Sequence, residues 1–190
     1  MHFRETGRTW PTMSDSSMQT LVLGGGCFWC VEAVYKMIPG VVRVESGYAG
    51  GKRERPGYEQ ICSGATGHAE VVKITFDPAV TDLRTILDWF WQAHDPTTLN
   101  RQGADVGTQY RSVIFFQSPE QKAEAEASRD AAQTLLGKHI VTEISPMPVF
   151  WPAESYHQDY FANNPGNSYC AMVVRPKVEK VRKKLADPNA

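Results

Sequence analysis

The chain of 190 residues has little of what would assign it to several large classes of protein. It contains no run of about eighteen apolar residues, the length needed to span a bilayer. The formal net charge is only −1, so no excess of charge marks it for nucleic acid or for a membrane surface. It also lacks internal repeats, which excludes solenoids. We therefore expect neither a nucleic-acid partner nor a membrane-bound protein.

Cysteine is scarce and irregularly spaced, at Cys27, Cys30, Cys62 and Cys170. This spacing does not form a disulfide framework, and together with the absence of a secretory signal it favours a cytoplasmic protein. A structural zinc site would need two more ligands at close spacing, so we expect no metal. Residues 1–18 are polar, and we predict that they form a disordered extension outside the fold.

The most distinctive stretch is residues 21–30, LVLGGGCFWC. An apolar strand meets three glycines, and apolar residues at helical spacing follow until residues 39–40. This pattern predicts Cys27 at a helix N-terminus, where unpaired N–H groups and the helix dipole stabilise a thiolate. Phe28 and Trp29 add an aromatic wall beside the sulfur. The stretch indicates a nucleophile with a pocket around it.

The same turn admits two simpler interpretations. A free cysteine is more often a buried apolar residue than a catalyst. A glycine-rich turn before a helix can also bind phosphate, but neither a P-loop lysine nor a dinucleotide fingerprint follows here. The turn alone therefore does not decide the function.

The remaining pattern alternates strands and helices. Further strands are predicted at residues 41–48, 70–76, 110–116 and 139–144. Helices are predicted after a cap at Thr81, from Ser118-Pro119 to Gly137, over residues 153–161, and along the basic stretch 177–184. The order indicates an α+β fold, a two-layer α/β sandwich with a ferredoxin-like split βαβ core and a mixed or antiparallel sheet. We expect long loops at residues 49–67 and 95–108, and a long irregular C-terminal segment after residue 145.

Two further stretches and one tyrosine carry groups suited to chemistry. Residues 67–70, Gly-His-Ala-Glu, put the carboxylate of Glu70 at the mouth of a strand. If that mouth is apolar, burial raises the pKa of Glu70 and makes it a proton donor near neutral pH, although an exposed glutamate is the simpler interpretation. The polar loop 101–110 runs into a strand, and such loops often deliver hydrogen-bond donors. Tyr58 offers a phenol.

Taken together, these stretches resemble the A-type peptide methionine sulfoxide reductases. Gly26-Cys27-Phe28-Trp29 resembles that family's active-site signature, and Gly67-His68-Ala69-Glu70 resembles its second motif. His94-Asp95-Pro96 with the loop that ends at Tyr110-Arg111-Ser112 is similar to its third block, and residues 154–160 are similar to its C-terminal block. The resemblance runs from about residue 20 to residue 176, in order and with the expected spacing.

The resemblance implies a role for each candidate residue. Cys27 would attack the sulfoxide sulfur and become a sulfenic acid, and Glu70 would protonate the departing oxygen. Tyr58 and Tyr110 would donate hydrogen bonds to that oxygen. Asp105 would support the polar side of the site. Phe28 and Trp29 would enclose the methyl group of the substrate.

A second thiol must then resolve the sulfenic acid. Many relatives have glycine at the position of Cys30, so here the CxxC pair itself could close. Cys170 follows the turn at residues 164–167 and resembles the family's C-terminal recycling cysteine. We favour Cys170, because a flexible tail could bring it to Cys27, and a relay through both thiols also stays open. Cys62 resembles a family position without a recycling role and is interpreted as structural.

The implied activity is reduction of methionine S-sulfoxide, free or in oxidised proteins, by residues 19–190 acting as a single reductase domain. Thioredoxin would be the reductant, or dithiothreitol in vitro, and the chain would act as a monomer without a bound cofactor. Two alternatives stay open. The first is a general thiol–disulfide oxidoreductase that uses Cys27 and Cys30 and does not depend on Glu70. The second is a binding module that recognises methionine-containing peptides without turnover.

Overall fold

The computed structural model describes residues 18–187, and every structural statement below concerns those residues. The predicted disordered extension lies, apart from Met18, outside them. The strands are β1 (Gln19–Gly25), β2 (Val41–Ala49), β3 (Ala69–Phe76), β4 (Arg101–Gln102), β5 (Asp105–Val106), β6 (Ser112–Phe116), β7 (Glu143–Pro146) and β8 (Trp151–Pro152).

Six α-helices lie within the described residues: α1 (Phe28–Tyr35), α2 (Tyr58–Cys62), α3 (Leu83–Ala93), α4 (Pro119–Leu136), α5 (Tyr160–Asn163) and α6 (Arg175–Ala186). Short 3-10 turns occupy Thr108–Tyr110 and Ser155–His157, and a π-helical turn over Cys170–Val174 leads into α6. Between residues 18 and 187, no helix has both the length and the apolar character needed to cross a bilayer.

The central sheet has the predicted split βαβ arrangement. Six strands lie in the order β7–β6–β1–β3–β2–β8. β3 lies between β1 and β2 and is antiparallel to both. The connection from β1 through α1 to β2 therefore leaves room for one strand between β1 and β2, and β3 occupies it. β6 is antiparallel to β1 and β7 is parallel to β6, which makes the sheet mixed. The predicted fold class is confirmed. β4 and β5 form a separate two-stranded hairpin.

Both faces of the sheet are covered, and for this reason β1 is apolar along its length rather than alternating. Leu21 and Leu23 point into the main core, where they join residues of α1 and α3 such as Val34 and Ile86. Val22 points to the opposite face, into a smaller cluster covered by loop residues. Burial on both faces fixes the end of β1, and therefore the turn that follows it.

The long helices begin and end close to where the sequence predicts. α4 follows Ser118, whose hydroxyl accepts a backbone N–H three residues on, and it ends at Gly137, which has φ 62°. The predicted cap of α3 is wrong by one residue. Asp82 rather than Thr81 accepts the N–H of Thr85, at 2.8 Å, because the carboxylate occupies the position just before the first helical residue.

Some predicted loops and boundaries are wrong. Residues 49–67 contain the short helix α2, and residues 95–108 contain the β4–β5 hairpin. The strand predicted at 139–144 begins only at Glu143. The N–H groups of residues 140–141 bond instead to the side chain of an α4 residue and to a loop carbonyl.

The C-terminal segment is ordered and packs on α1. The helix predicted at 153–161 is divided into a 3-10 turn and α5. The amide of Gln158 both donates to and accepts from the backbone of Ser46, which attaches the segment to β2. Cys170, predicted in a flexible tail, lies in the π-helical turn and packs with Val174 and α1. The tail is therefore a helical cover over the start of α1.

Candidate active site

The turn between β1 and α1 has room only for glycine. Gly26 has φ +93°, and a Cβ on it would lie 2.6 Å from the Cγ of Gln102. A Cβ on Gly24 would lie 2.8 Å from a methyl carbon of Val113. The amide of Gln102 is itself fixed, because it accepts the N–H of Asp95 at 3.0 Å and donates to its carbonyl. The glycines therefore let the backbone turn tightly against a rigid loop.

This turn delivers Cys27 to the N-cap position of α1, as the sequence predicts. Cys30 lies one helical turn further on, with its N–H bonded to the Cys27 carbonyl at 3.0 Å. Side chains three apart on a helix have Cβ atoms about 5–6 Å apart. The two thiols are close enough for each to shift the pKa of the other. Both are nearly inaccessible, with 7% and 2% of their surface exposed.

The prediction that the helix terminus stabilises a Cys27 thiolate is wrong for this resting arrangement. Burial raises the pKa of Cys27 well above its ordinary value, and the hydrogen bond with Cys30 and the nearby Glu70 raise it further. The hydrogen bond from Cys27 lowers the pKa of Cys30 against the effect of burial, and Lys177 lowers it further. The two neighbouring thiols are therefore shifted in opposite directions, with the pKa of Cys27 raised and that of Cys30 lowered.

Glu70 lies at the same helix terminus. It is the second residue of β3, its side chain is 2% exposed, and its Oε2 accepts the N–H of Phe28 at 3.1 Å. Burial raises the pKa of Glu70 to about 8, although the hydrogen bond from Phe28 acts in the opposite direction. The burial and the raised pKa agree with the condition that the sequence analysis set, and the role of Glu70 as proton donor stays a prediction. An acid and a thiol thus meet at the start of α1.

Tyr58 and Tyr110 stand around this acid. Both are partly buried, and desolvation with the nearby Glu70 raises the pKa of each phenol, so both stay protonated donors. Tyr58 is the first residue of α2, and His68 holds the loop before it by accepting the N–H of Gly51 at 3.0 Å. Tyr110 ends the 3-10 turn that follows the β4–β5 hairpin.

Asp105 lies on the hairpin, and its partner is a residue that the sequence did not single out. The hydroxyl of Tyr169 donates to Oδ2 of Asp105 at 2.6 Å and also lies within hydrogen-bonding reach of the Cys27 sulfur. Tyr169 belongs to the C-terminal cover, directly before Cys170. It therefore closes the polar side of the site over the thiol.

The two predicted aromatic residues have different environments. Phe28 is only 1% exposed and packs in the core beside Tyr48. Trp29 is partly exposed; its indole N–H donates to Nδ1 of His157 at 3.1 Å, and its ring stacks on Tyr160 with centroids 3.7 Å apart. Trp29 thus offers the accessible apolar surface, and Phe28 supports it from the interior.

Two more residues that the sequence did not assign connect these parts. Glu154 accepts the Tyr48 hydroxyl at 2.8 Å and the N–H of Tyr58 at 2.9 Å. His157 accepts the indole of Trp29 and packs on the ring of Tyr58 with centroids 4.3 Å apart. Both lie in the C-terminal block whose resemblance to the family was the only signal in the sequence.

The four cysteines fall into two groups. Cys27, Cys30 and Cys170 share one buried cluster, in which Cys170 has no exposed surface and its pKa is raised by burial and by Cys30. Cys62 is separate and exposed on α2, where it bonds to the hydroxyl of Tyr58. It lies apart from the cluster of the other three cysteines, and its interpretation as structural stays a prediction. Among residues 18–187, no three His, Cys, Asp or Glu side chains are grouped to hold a metal.

The start of α1 is therefore surrounded by a thiol pair, a buried carboxylic acid, phenol donors and an indole. A sequence profile described as peptide methionine sulfoxide reductase matches residues 19–189. The chain belongs to the peptide methionine sulfoxide reductase family. Membership confirms the resemblance that the four motif blocks indicate, and with it an oxidoreductase family.

Individual members of the family match closely. The peptide methionine sulfoxide reductase MsrA of Leptospira borgpetersenii is 54% identical over 166 residues, which cover 87% of this chain and 94% of the relative. The crystal structure of Mxr1 from Saccharomyces cerevisiae in reduced form superposes with a TM-score of 0.79 at 36% identity, over 83% of this chain and 91% of that one. Mxr1 in complex with Trx2 gives a TM-score of 0.56 at 26% identity, over 82% and 91%.

The raised pKa of Glu70 predicts that the free energy of unfolding depends on pH. Because this pKa is about 8 in the folded chain against an ordinary 4.5, the folded state binds more protons than the unfolded state across that interval. The free energy of unfolding therefore falls as pH rises through it. In Glu70→Gln this loss disappears, so urea denaturation should find the variant increasingly more stable than the parent protein toward alkaline pH.

Glu126→Gln is the matched control, since Glu126 is a partly exposed residue of α4 with only a long ion pair to Lys122. We expect its stability difference from the parent protein to be independent of pH in this range. A Glu70→Gln curve that runs parallel to that of the parent protein would show that Glu70 titrates normally.

Proposed function

We propose that this chain reduces methionine S-sulfoxide, free or within oxidised proteins, to methionine, with thioredoxin as the reductant. The observation that carries the proposal is the bond from the Phe28 N–H to Glu70, which puts a carboxyl with a pKa of about 8 beside Cys27. Family membership over residues 19–189 supports the same reaction.

In the first step Cys27 attacks the sulfoxide sulfur. In the form of the pair that carries one thiolate, the Cys30 sulfur takes the proton of Cys27 as the attack begins, so that Cys27 reacts as the thiolate. Glu70 gives its proton to the sulfoxide oxygen, which neutralises the charge that would otherwise oppose the attack. The oxygen atom moves to Cys27 as a sulfenic acid, and methionine leaves with the electron pair on its sulfur. Tyr58 and Tyr110 donate hydrogen bonds to the oxygen.

The site would prefer the S epimer of the sulfoxide, because three different kinds of group surround the sulfur atom of the substrate. Cys27 approaches from one side, the acid and the phenols hold the oxygen, and the indole of Trp29 receives the methyl group. Exchange of the oxygen and the methyl group would put a polar atom on the indole and leave the buried donors unpaired. Asp105 supports the polar side, and its partner Tyr169 must move aside for the substrate.

In the second step a thiol resolves the sulfenic acid. The sequence favoured Cys170, but Cys30 lies one helical turn from Cys27 and already bonds to it. Cys30 shares the buried cluster with Cys27 and Cys170, and its charge raises the pKa of Cys170. We infer a relay in which a Cys27–Cys30 disulfide forms first and passes to Cys170. Thioredoxin then reduces the second disulfide, a proposal that the Mxr1–Trx2 complex supports.

The two alternatives account for less of the site. A general thiol–disulfide oxidoreductase has no use for a buried carboxyl held at 3.1 Å from the Phe28 nitrogen. A binding module has no use for two adjacent buried thiols at the start of a helix. Formation of methionine from its sulfoxide in the presence of dithiothreitol separates the proposed function from both.

Glu70→Gln should slow methionine formation about 100-fold or more, because an amide keeps the hydrogen bond to Phe28 but cannot donate a proton. The measurement is rapid quench of the reduced enzyme with methionine S-sulfoxide and quantification of methionine. For the parent enzyme the rate should fall as pH rises through about 8, where Glu70 loses its proton.

Glu126→Gln serves again as the control and should keep the parent rate and pH profile. Reduction of a generic disulfide substrate by Glu70→Gln should also be unchanged. If Glu70→Gln forms methionine at the parent rate, Glu70 is not the acid and the general oxidoreductase becomes the better description.

The order of the relay is tested by Cys30→Ser and Cys170→Ser, with Cys62→Ser as the control. After one equivalent of sulfoxide, Cys170→Ser should form the Cys27–Cys30 disulfide at the parent rate but lose thioredoxin-driven turnover. Cys30→Ser should form its disulfide about tenfold or more slowly, because its resolving thiol is no longer adjacent. Mass spectrometry of the quenched protein locates each disulfide. Fast direct formation of Cys27–Cys170 in Cys30→Ser would reverse the order.

A further inference from the structure

The three groups proposed to hold the sulfoxide oxygen come from three separate segments of the chain. Tyr58 begins α2, Glu70 lies near the start of β3, and Tyr110 ends a 3-10 turn. The carboxyl of Glu70 is held at one point by the N–H of Phe28. Because proton transfer and hydrogen bonding to one oxygen require matched distances, the spacing between these segments needs to be fixed.

One side chain connects two of these segments directly. Arg111 is the residue before β6, and its Nη1 donates hydrogen bonds to the carbonyl oxygens of Gly67, at 3.1 Å, and Thr108, at 3.0 Å. Gly67 lies three residues before Glu70. Thr108 lies two residues before Tyr110. A single guanidinium nitrogen therefore joins the backbone that carries the acid to the backbone that carries a phenol.

The third segment packs against the same guanidinium. Gly50, directly after β2, has φ +86°, and a Cβ on it would lie 2.7 Å from Nη2 of Arg111. Only glycine therefore lets the start of the loop toward Tyr58 come this close. The neighbouring Gly51 donates its N–H to the ring of His68, at 3.0 Å, which attaches this loop to the segment that leads into β3.

The guanidinium is also fixed from the side of β7. Its Nε donates to Oε2 of Glu143 at 3.0 Å, and the Arg111 side chain is only 15% exposed. A planar, charged fork of donors holds several acceptors in a defined geometry, which a lysine ammonium does not. Within residues 18–187 the hydrogen bonds of this side chain go to the two carbonyls and to Glu143, and none goes to the carboxyl of Glu70 or the hydroxyl of Tyr110.

Arg111 can affect the placement of the acid without affecting its titration. The pKa of Glu70 is raised by burial, Asp105 and Cys30, and it is lowered by the N–H of Phe28. Arg111 forms no bond with any of these groups within the described part of the chain. Its removal should therefore leave the titration of Glu70 in place while the distance between the acid and the substrate oxygen changes.

We propose that Arg111 is a positioning residue for the first step: its guanidinium sets the spacing between Glu70 and Tyr110 at the sulfoxide oxygen. The inference rests on the proposed function, because it concerns the oxygen which that reaction transfers. It assigns to the residue after Tyr110 a control over how fast methionine forms, without contact with the substrate.

The test compares Arg111→Met with Arg129→Met, since Arg129 is a partly exposed residue of α4 that also pairs with a carboxylate, that of Asp130 at 2.8 Å. Rapid quench of the reduced protein with methionine S-sulfoxide at several concentrations gives the maximal rate of methionine formation and the half-saturating concentration. Reduction of the oxidised protein by thioredoxin is measured separately, because that step does not involve the sulfoxide oxygen.

We expect Arg111→Met to lower the maximal rate of methionine formation about tenfold, because a small displacement of the acid is enough to slow proton transfer, and to change the half-saturating concentration by less than about twofold. The fall in rate as pH rises through about 8 should keep its midpoint. Arg129→Met should match the parent protein, and reduction by thioredoxin should be unchanged in both variants.

A double-mutant cycle separates positioning from a general loss of stability. In a Tyr110→Phe background Arg111→Met should cost no more than about threefold, because one of the two groups that Arg111 positions is then missing. In a Trp29→Phe background it should still cost about tenfold, because Trp29 receives the methyl group rather than the oxygen. If Arg111→Met fails to fold, as judged by urea denaturation, Arg111→Lys makes the same comparison, since it keeps the charge without the fork.

An unchanged maximal rate in Arg111→Met, equal slowing in Arg129→Met, or equal costs in the two backgrounds would overturn the proposal. A higher half-saturating concentration with an unchanged maximal rate would do the same. Failure of the proposed function has a different signature, because the parent protein would then form no methionine, and both proposals would fall together.

Discussion

The site depends on one hydrogen bond, from the backbone N–H of Phe28 to the carboxyl of Glu70, at 3.1 Å. It connects the first turn of α1 to β3 across 42 residues of sequence. Because the donor is one of the unpaired N–H groups at a helix start, the carboxyl occupies the end of the helix next to Cys27. The same position is buried, so the pKa of Glu70 is about 8. The raised pKa of Glu70 and its position beside Cys27 thus have the same structural origin.

The thiols illustrate how burial outweighs the helix dipole. A helix N-terminus lowers a cysteine pKa, and this effect fades within the first turn. At Cys27 it is outweighed, because enclosure by Tyr169 and its neighbours removes solvent and Glu70 adds a nearby acid. The pKa of Cys30, one helical turn further on, is lowered instead, first by its interaction with Cys27. In this arrangement Cys27 is only 7% exposed and lies beneath the C-terminal cover.

Local patterns in the sequence were enough to predict the part of the site formed by neighbouring residues. The glycines and the helical spacing after them predict Cys27 at the start of α1, and alternation predicts β3 with Glu70 at its mouth. The contacts of Tyr169 could not be predicted in this way, since they come from the segment after residue 145, which has no clear periodicity and several prolines. Its path depends on tertiary bonds such as that between Gln158 and the backbone of β2.

The most direct test of the account is the protonation state of Glu70 in the resting protein. Infrared difference spectroscopy between the parent protein and Glu70→Gln isolates the carbonyl band of the protonated carboxyl as pH is varied. The account predicts a band that is present at neutral pH and disappears with a midpoint near 8. A band already lost at mildly acidic pH would mean that the carboxyl beside Cys27 is ionised when the substrate arrives, and the proposed proton transfer would be contradicted.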